Sequence, residues 1–263
     1  MFSIPPVPLM SSLPNTLYSS QGASPLSRSR INLAVATAKS VLEKLSFPLP
    51  PFAYWSPEQW LQAGEESAEI RDCMLGWDVT DFGSQSFETL GRTLFTLRNG
   101  RSDRSGYPKT YAEKVLIEPE GQRSPLHFHL SKREDIINRG GGRVVVLLYQ
   151  STKDGAPDTS SSLDIQVDGF RKRIAAGELV SLRVGESLSI PPRTFHQFWG
   201  EGGVEVNGLR HSISVEVSSV CDDWNDNVFF DSWAARFPKI VEDAERSCFL
   251  CHEYPHSLVP RVL

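Results

Sequence analysis

The sequence predicts a mainly-β protein, an antiparallel sandwich or barrel with a helical segment ahead of it. Three observations carry this. Apolar residues recur at three- and four-residue steps ahead of Gly76. Beyond it, short runs of β-branched and aromatic residues alternate with Gly, Asp and Asn. No helical period separates those runs, which suits paired antiparallel strands rather than strand–helix–strand units.

The first thirty residues stand apart. They hold Pro5, Pro6, Pro8, Pro14, Pro25 and many serines, no Asp or Glu, and no positive side chain before Arg28. Such a stretch buries too little apolar surface to offset its ordering entropy, so residues 1–30 read as a disordered tail. The same composition fits an organelle-targeting segment, although the prolines oppose the amphipathic helix such a segment needs. Residues 31–263 read as one domain, with a helical segment over 31–75. Ile31, Val35, Ala38, Val41, Leu42 and Leu45 give a helix over 31–45 that Pro48, Pro50 and Pro51 stop. Ser56-Pro57-Glu58 opens a second helix, with Ser as cap and Pro in the first turn. Helix continues in the reading over 65–75.

Strands are expected at 93–97, 111–117, 143–150, 163–167, 171–174, 179–184, 187–190, 194–199 and 213–220. Asn99-Gly100 and Asp168-Gly169 read as hairpin turns, and Gly140-Gly141-Gly142 as a hairpin-like turn. The last forty residues read as irregular or partly helical.

Composition excludes several function classes. Lys plus Arg number 27 against 32 Asp plus Glu, a net charge of -5, which is no phosphate-backbone binder. The longest strongly apolar run, 144–149, falls far short of the ~20 residues a bilayer requires. Four cysteines in 263 residues are too few for a disulfide-built fold. The expected setting is the cytoplasm, with neither nucleic acid nor membrane as partner.

Three of the six histidines fall in two short segments. The first reads GQRSPLHFHLSKREDIINRGG from Gly121. Residues two apart on a strand share a face, so His127 and His129 present both imidazoles to one centre, and Glu134 reaches it after a bend. The second reads GESLSIPPRTFHQFWG from Gly185, with Pro191 and Pro192 shaping a turn before His196. The pair of segments resembles the cupin family. Gly121, His127, His129, Glu134 and Gly141 match every fixed position of its first motif, and Gly185, Pro191 and His196 match the second. Arg193 stands where the family prefers Gly, and Gly200 where it prefers Asn. The resemblance implies a cupin jelly-roll barrel, with the N-terminal helices packed on it. It also implies one divalent metal ion on His127, His129, Glu134 and His196. Three imidazoles and a carboxylate suit Mn, Fe(II), Co, Ni or Zn.

Longer stretches narrow the resemblance. GWDVTDFG at Gly76, LFTLRNG at Leu94, YAEK at Tyr111, the segment from His127 and VEVSSVCDDWNDNVFF at Val215 are similar to the D-lyxose isomerase family. The likeness runs from about residue 42 to 254. It implies a manganese-preferring homodimer that interconverts D-lyxose and D-xylulose, and often D-mannose and D-fructose. An Fe(II) cupin dioxygenase with the same ligands and a non-catalytic sugar-binding cupin are the alternatives.

Aldose–ketose isomerisation needs a base that moves one proton between C2 and C1 on one face of a cis-enediol. Glu216 is the first candidate. It shares a polar stripe with Ser214 and Ser218, opposite Ile213, Val215 and Val217, and either lines the cavity or faces solvent. Lys132, between the ligands, either donates a proton to a sugar oxygen or stabilises the enediolate. Alternation turns one of Glu113 and Lys114 inward, with Lys114 favoured. Asp223, Asp226 and Asn227 sit in a loop that holds sugar hydroxyls or caps itself. Of Phe195, Phe198 and Trp199, at least two read as core. Cys248-Phe-Leu-Cys251-His252 spells a haem-attachment string but lacks a downstream Met ligand. A zinc site using those cysteines with His252 or His256 lacks a fourth ligand. His211 reads as structural, and Arg139 and Arg143 as surface charges.

Overall fold

The computed structural model describes residues 24–101, 103 and 106–255. Helix α1 spans Arg28–Lys44, capped by Ser27, whose hydroxyl accepts the Arg30 N–H. It starts inside the stretch read as tail, because Arg28 is fully buried and bonded to Glu242 and Glu253. Of that stretch, residues 1–23 lie outside the described residues. Helix α2, Pro57–Gln62, carries a reciprocal capping box between Ser56 and Gln59. The helix expected over 65–75 is shorter. A 3-10 turn, Glu65–Ser67, leads into α3, Ala68–Asp72, and Met74 ends it in the left-handed region at φ 54°.

The strands are β1 Gly76–Thr80, β2 Arg92–Arg98, β3 Tyr111–Pro119, β4 His127–His129, β5 Glu134–Gly140, β6 Arg143–Ser151, β7 Pro157–Asp158, β8 Leu163–Val167, β9 Phe170–Ile174, β10 Leu179–Leu182, β11 Ser187–Ile190, β12 Thr194–Glu201, β13 Val204–Val206, β14 Leu209–Ser219 and β15 Asn227–Phe229. A nine-stranded sheet runs β1-β2-β3-β14-β5-β11-β8-β9, with β13 on β14. A six-stranded sheet runs β10-β6-β12-β4-β15, with β7 on β6. Leu94, Leu116 and Ile136 of the first sheet pack against Val146, Leu148 and Phe198 of the second, so the two close as a cupin-type barrel.

A second core lies outside the barrel. Ile31, Val35 and Val41 of α1 cover Phe95, Val115, Ile117, Ile213 and Val215 on the back of the nine-stranded sheet. The apolar stripe of β3 and β14 therefore points outward at a helix, and the polar stripe points into the barrel. Trp77 and Leu250 extend this outer core. The C-terminal segment docks through the Cys251 N–H on the Trp77 carbonyl, and no helix follows β15 among the described residues.

The turns divide. Asp168 and Gly169, at φ 48° and 83°, form the two-residue hairpin between β8 and β9 that the sequence predicts. Asn99-Gly100 is no hairpin turn. Residues 99–110 connect β2 to β3, and Asn99 is buried, its amide bonded to the carbonyls of Cys73 and Cys221. Gly140-Gly141-Gly142 joins β5 and β6, which lie in different sheets, so it is a crossing rather than a hairpin. Arg193 holds φ 60°, which explains the glycine usually found there, and its N–H donates to the His129 carbonyl at 2.8 Å.

At Gly200 a side chain has no room, because a Cβ would collide with the buried Ser212 hydroxyl and crowd Glu118. Gly200→Asn, the residue more usual in this motif, is therefore expected to destabilise the protein by about 1–3 kcal/mol, as overpacking does. Urea unfolding of the variant beside the parent measures this.

Candidate active site and metal centre

Strands β4 and β12 pair with His196 directly across from His127, and His129 follows two residues on. One nitrogen from each of the three rings lies within 4.8 Å of the other two. Backbone carbonyls orient two of the rings, with Pro125 O 2.8 Å from His127 Nδ1 and Thr194 O 3.0 Å from His196 Nδ1. A carbonyl only accepts, so both Nδ1 atoms carry a hydrogen and both Nε2 atoms are turned to the centre. Burial, with the neighbouring imidazoles, pushes the His127 pKa well below its usual value and keeps the ring neutral.

Glu134 opens β5 in the opposite sheet. Its Oε1 lies 2.9 Å from His196 Nε2 and its Oε2 lies 3.3 Å from His129 Nε2. Oε1 is buried and receives no hydrogen bond. A carboxylate oxygen thus faces the ring nitrogens across the centre, an arrangement that a cation between them would satisfy. The donor set therefore fits a divalent metal of the borderline class.

Lys132 Nζ sits 2.7 Å from both Glu134 Oε2 and Glu216 Oε1. Burial opposes its charge, but Cys221, Glu134 and Glu216 outweigh that and raise its pKa well above the usual value. Burial likewise works to raise both carboxyls, and Lys132 more than reverses it, so both are held low and ionised. Glu216 faces into the barrel, opposite Lys114 on β3. Lys114 also points inward, 2.9 Å from Asp223, whereas Glu113 points out to Arg98 at 3.0 Å. Asp223 lies 3.6 Å from Arg236, whose guanidinium also pairs with Asp78. Burial raises the Asp223 carboxyl, but Lys114 and Arg236 hold it far below the usual carboxylate range.

The structure corrects the expectation for Asp226, which does not line the cavity. Its two oxygens accept the backbone N–H groups of Ser131 and Lys132 at 2.8 and 3.1 Å, so it shapes the loop that presents Lys132. Asn227 and Phe198 do line the cavity, while Phe195 packs on Phe128 and Trp199 lies under Arg123. With Leu94 and Leu116, the walls also include Phe82, Arg92, Ser124, Phe229 and Arg236. Sequence reasoning did not single out any of these five. Arg92, just before a predicted strand, was the most findable, since a buried Arg at a strand start demands a partner. It has Glu118 at 3.4 Å and the Phe198 carbonyl at 3.1 Å.

Asp78, Cys251 and His252 also bring three potential ligand atoms within 4.8 Å of one another. Asp78 comes from a distant strand, which is why the haem-like string offered no such partner. Arg236 already neutralises that carboxylate. The four cysteines are free and buried, and His256 lies outside the described residues. His211 is buried with its Nδ1 on the Leu209 carbonyl, away from the three-histidine cluster.

The chain matches the family model described as D-lyxose isomerase over residues 26–254. It is 42% identical over 228 residues to a D-lyxose/D-mannose isomerase of Serratia proteamaculans, covering 86% of this chain and 96% of that one. It is 40% identical over 230 residues to a D-lyxose/D-mannose isomerase of Escherichia coli O157:H7, covering 87% and 98%. Among solved structures it is similar to the L-ribose isomerase of Cellulomonas parahominis, with a TM-score of 0.55. That match has 16% identity and covers 83% of this chain and 99% of the other. At that identity the likeness concerns the fold alone.

Asp223→Asn leaves Lys114 and Arg236 without their shared carboxylate. Breaking a buried pair in this way is expected to cost about 3–5 kcal/mol at neutral pH. Because the folded-state pKa of Asp223 is depressed, its contribution is present above about pH 4 and is lost as pH falls through the folded value. The parent should therefore lose more stability than the variant on acidification below pH 4, which denaturant unfolding at stepped pH measures.

Proposed function

The chain belongs to the D-lyxose isomerase family, and on that premise we propose that it interconverts D-lyxose and D-xylulose, with D-mannose and D-fructose as a second pair. The observation that supports this most is the joining of a metal-type centre to an independent ionised acid. Glu134 and Glu216 share the Lys132 ammonium, yet only Glu134 touches the imidazoles. A dioxygenase needs the ligands alone, whereas an isomerase also needs a base beside them.

The divalent ion, in our reading Mn2+ on His127, His129, Glu134 and His196, supplies Lewis-acid polarisation of the sugar's adjacent carbonyl and hydroxyl oxygens. Glu216 takes the proton from C2 and returns it to C1 on the same face, through a cis-enediol. Depressed below the usual range, it is ionised at neutral pH and ready to accept. Lys132 is held too basic to give up a proton readily, so of its two expected roles we retain stabilisation of the enediolate charge. Lys114, with Asp223 beside it, meets sugar hydroxyls on the wall opposite the histidines. Phe82, Phe198 and Phe229 give the cavity apolar sides that exclude water. The family resemblance extends the proposal to a cytoplasmic homodimer.

Glu216→Gln is expected to keep its metal content and lose about 10²–10⁴-fold in kcat on D-lyxose. In the parent, turnover in D2O should place deuterium in the product. A product free of label, or a variant as fast as the parent, would show that Glu216 does not carry the proton. His127→Ala should hold well under one metal ion per chain by elemental analysis, and parent turnover should be the same without oxygen.

A further inference from the structure

The two oxygens of Glu216 have different surroundings. Oε1 receives three donors: Lys132 Nζ at 2.7 Å, Ser218 Oγ at 3.1 Å and Cys221 Sγ at 3.3 Å. No hydrogen bond from the described residues reaches Oε2, and it is not among the buried orphaned atoms. Ser218 and Cys221 are both at least nine-tenths buried. Burial pushes the Cys221 thiol up to about 11, so the sulfur keeps its hydrogen at neutral pH and donates.

The placement of the pair is itself secured. Ser218 follows Glu216 by two residues on β14 and so shares its inward face. Cys221 lies where the chain has left the strand, and Asn99 fixes it there from both sides. The Asn99 carbonyl oxygen accepts the Cys221 N–H at 3.0 Å, and its amide donates to the Cys221 carbonyl at 3.0 Å. A second Asn99 bond runs to the Cys73 carbonyl at 3.3 Å. The asparagine that looks like a hairpin residue in the sequence therefore anchors a thiol beside the acid.

We propose that Ser218 and Cys221, anchored by Asn99, are positioning residues that hold one oxygen of Glu216 so that the other alone exchanges the proton with the sugar. This rests on the reading of Glu216 as the base. The C2–H bond breaks as the Oε2–H bond forms, the carboxyl hydrogen exchanges with solvent, and Oε2 then delivers a hydrogen to C1 while the hydroxyl hydrogen passes from O2 to O1, so nothing is consumed. Ser218 also has an alternative acceptor, the Ser219 carbonyl at 2.8 Å, and its oxygen lies 3.3 Å from Cys221 Sγ. Two hydrogens thus serve three acceptors. Both turn to Glu216 while it is ionised, and Ser218 swings to the Ser219 carbonyl once the acid is neutral. The carboxylate passes through both states without rotating, and proton transfer keeps one geometry.

The test uses the full-length, metal-loaded enzyme. Ser218→Ala and Cys221→Ala should each lower kcat about tenfold, the worth of one hydrogen bond to a charged group, and the double variant about 30- to 100-fold. KM, metal content and the melting temperature should stay near the parent values. Cys221→Ser should restore most of kcat, because a hydroxyl donates as a thiol does. A crystal structure of the double variant should show Glu216 in more than one orientation. The proposal is overturned if the double variant keeps kcat within twofold while Glu216→Gln is inactive, an outcome that leaves the base assignment standing. It is also overturned if the loss appears in KM or melting temperature with no rescue by Cys221→Ser. If Glu216→Gln itself turns over at the parent rate, the base assignment fails and takes this inference with it.

Discussion

The Lys132 ammonium, 2.7 Å from one carboxylate on β5 and 2.7 Å from another on β14, is the interaction on which the site depends. Two buried acids on adjacent strands would repel each other and carry a large desolvation cost, and a single cation offsets both. It fixes Glu134 toward the imidazoles and Glu216 toward the cavity. The cation is itself fixed, since Asp226 ties the backbone of residues 131 and 132. One loop between β4 and β5 thereby couples the metal-type centre to the base.

Such a concentration of charge between two sheets requires compensation elsewhere, and the outer face provides it. Val115 and Ile117 of β3 and Ile213 and Val215 of β14 pack on the α1 side instead of filling the barrel at this end. The interior is then left for Lys114, Glu118, Ser214, Glu216 and Ser218, all in ion pairs or hydrogen bonds. Toward the other end the interior becomes aliphatic, with Val146, Leu148 and Leu188. The barrel is therefore a polar pocket on an apolar base.

The part of this that was legible in the sequence was local. His127, His129 and Glu134 share one short segment, and strand alternation states which side chains share a face. The grouping of His196 with His127 came from a motif resemblance, and the strand register sets the two opposite each other. Alternation also separated Lys114 from Glu113. What it does not state is what covers each face. The stripe containing Glu216 read equally well as facing solvent, because nothing in residues 213–220 reveals that a helix near residue 31 packs on the other side. Arg236 and Asp78 escaped notice and Asn99 was misread as a turn for the same reason, since each acts on a partner far away in the chain. Asp226 was noticed but misplaced, because an acid in a loop reads alike whether it meets a sugar or a backbone N–H. Glycines mislead similarly: three in a row mark a sharp change of direction, not the sheet to which the chain goes next.

The position of β14 between β3 and β5 has a consequence for how the chain comes into being. Synthesis delivers β3 and β5 long before residues 209–219, so a nascent chain presents two strand edges with no neighbour between them. Such edges invite pairing with other chains, and the emerging barrel is most exposed to aggregation during that interval. His127, His129, Glu134 and His196 all leave the ribosome before Glu216 does. The histidine and carboxylate cluster is thus complete in covalent sequence before Glu216 exists. Insertion of β14 closes the sheet and delivers that group in one event.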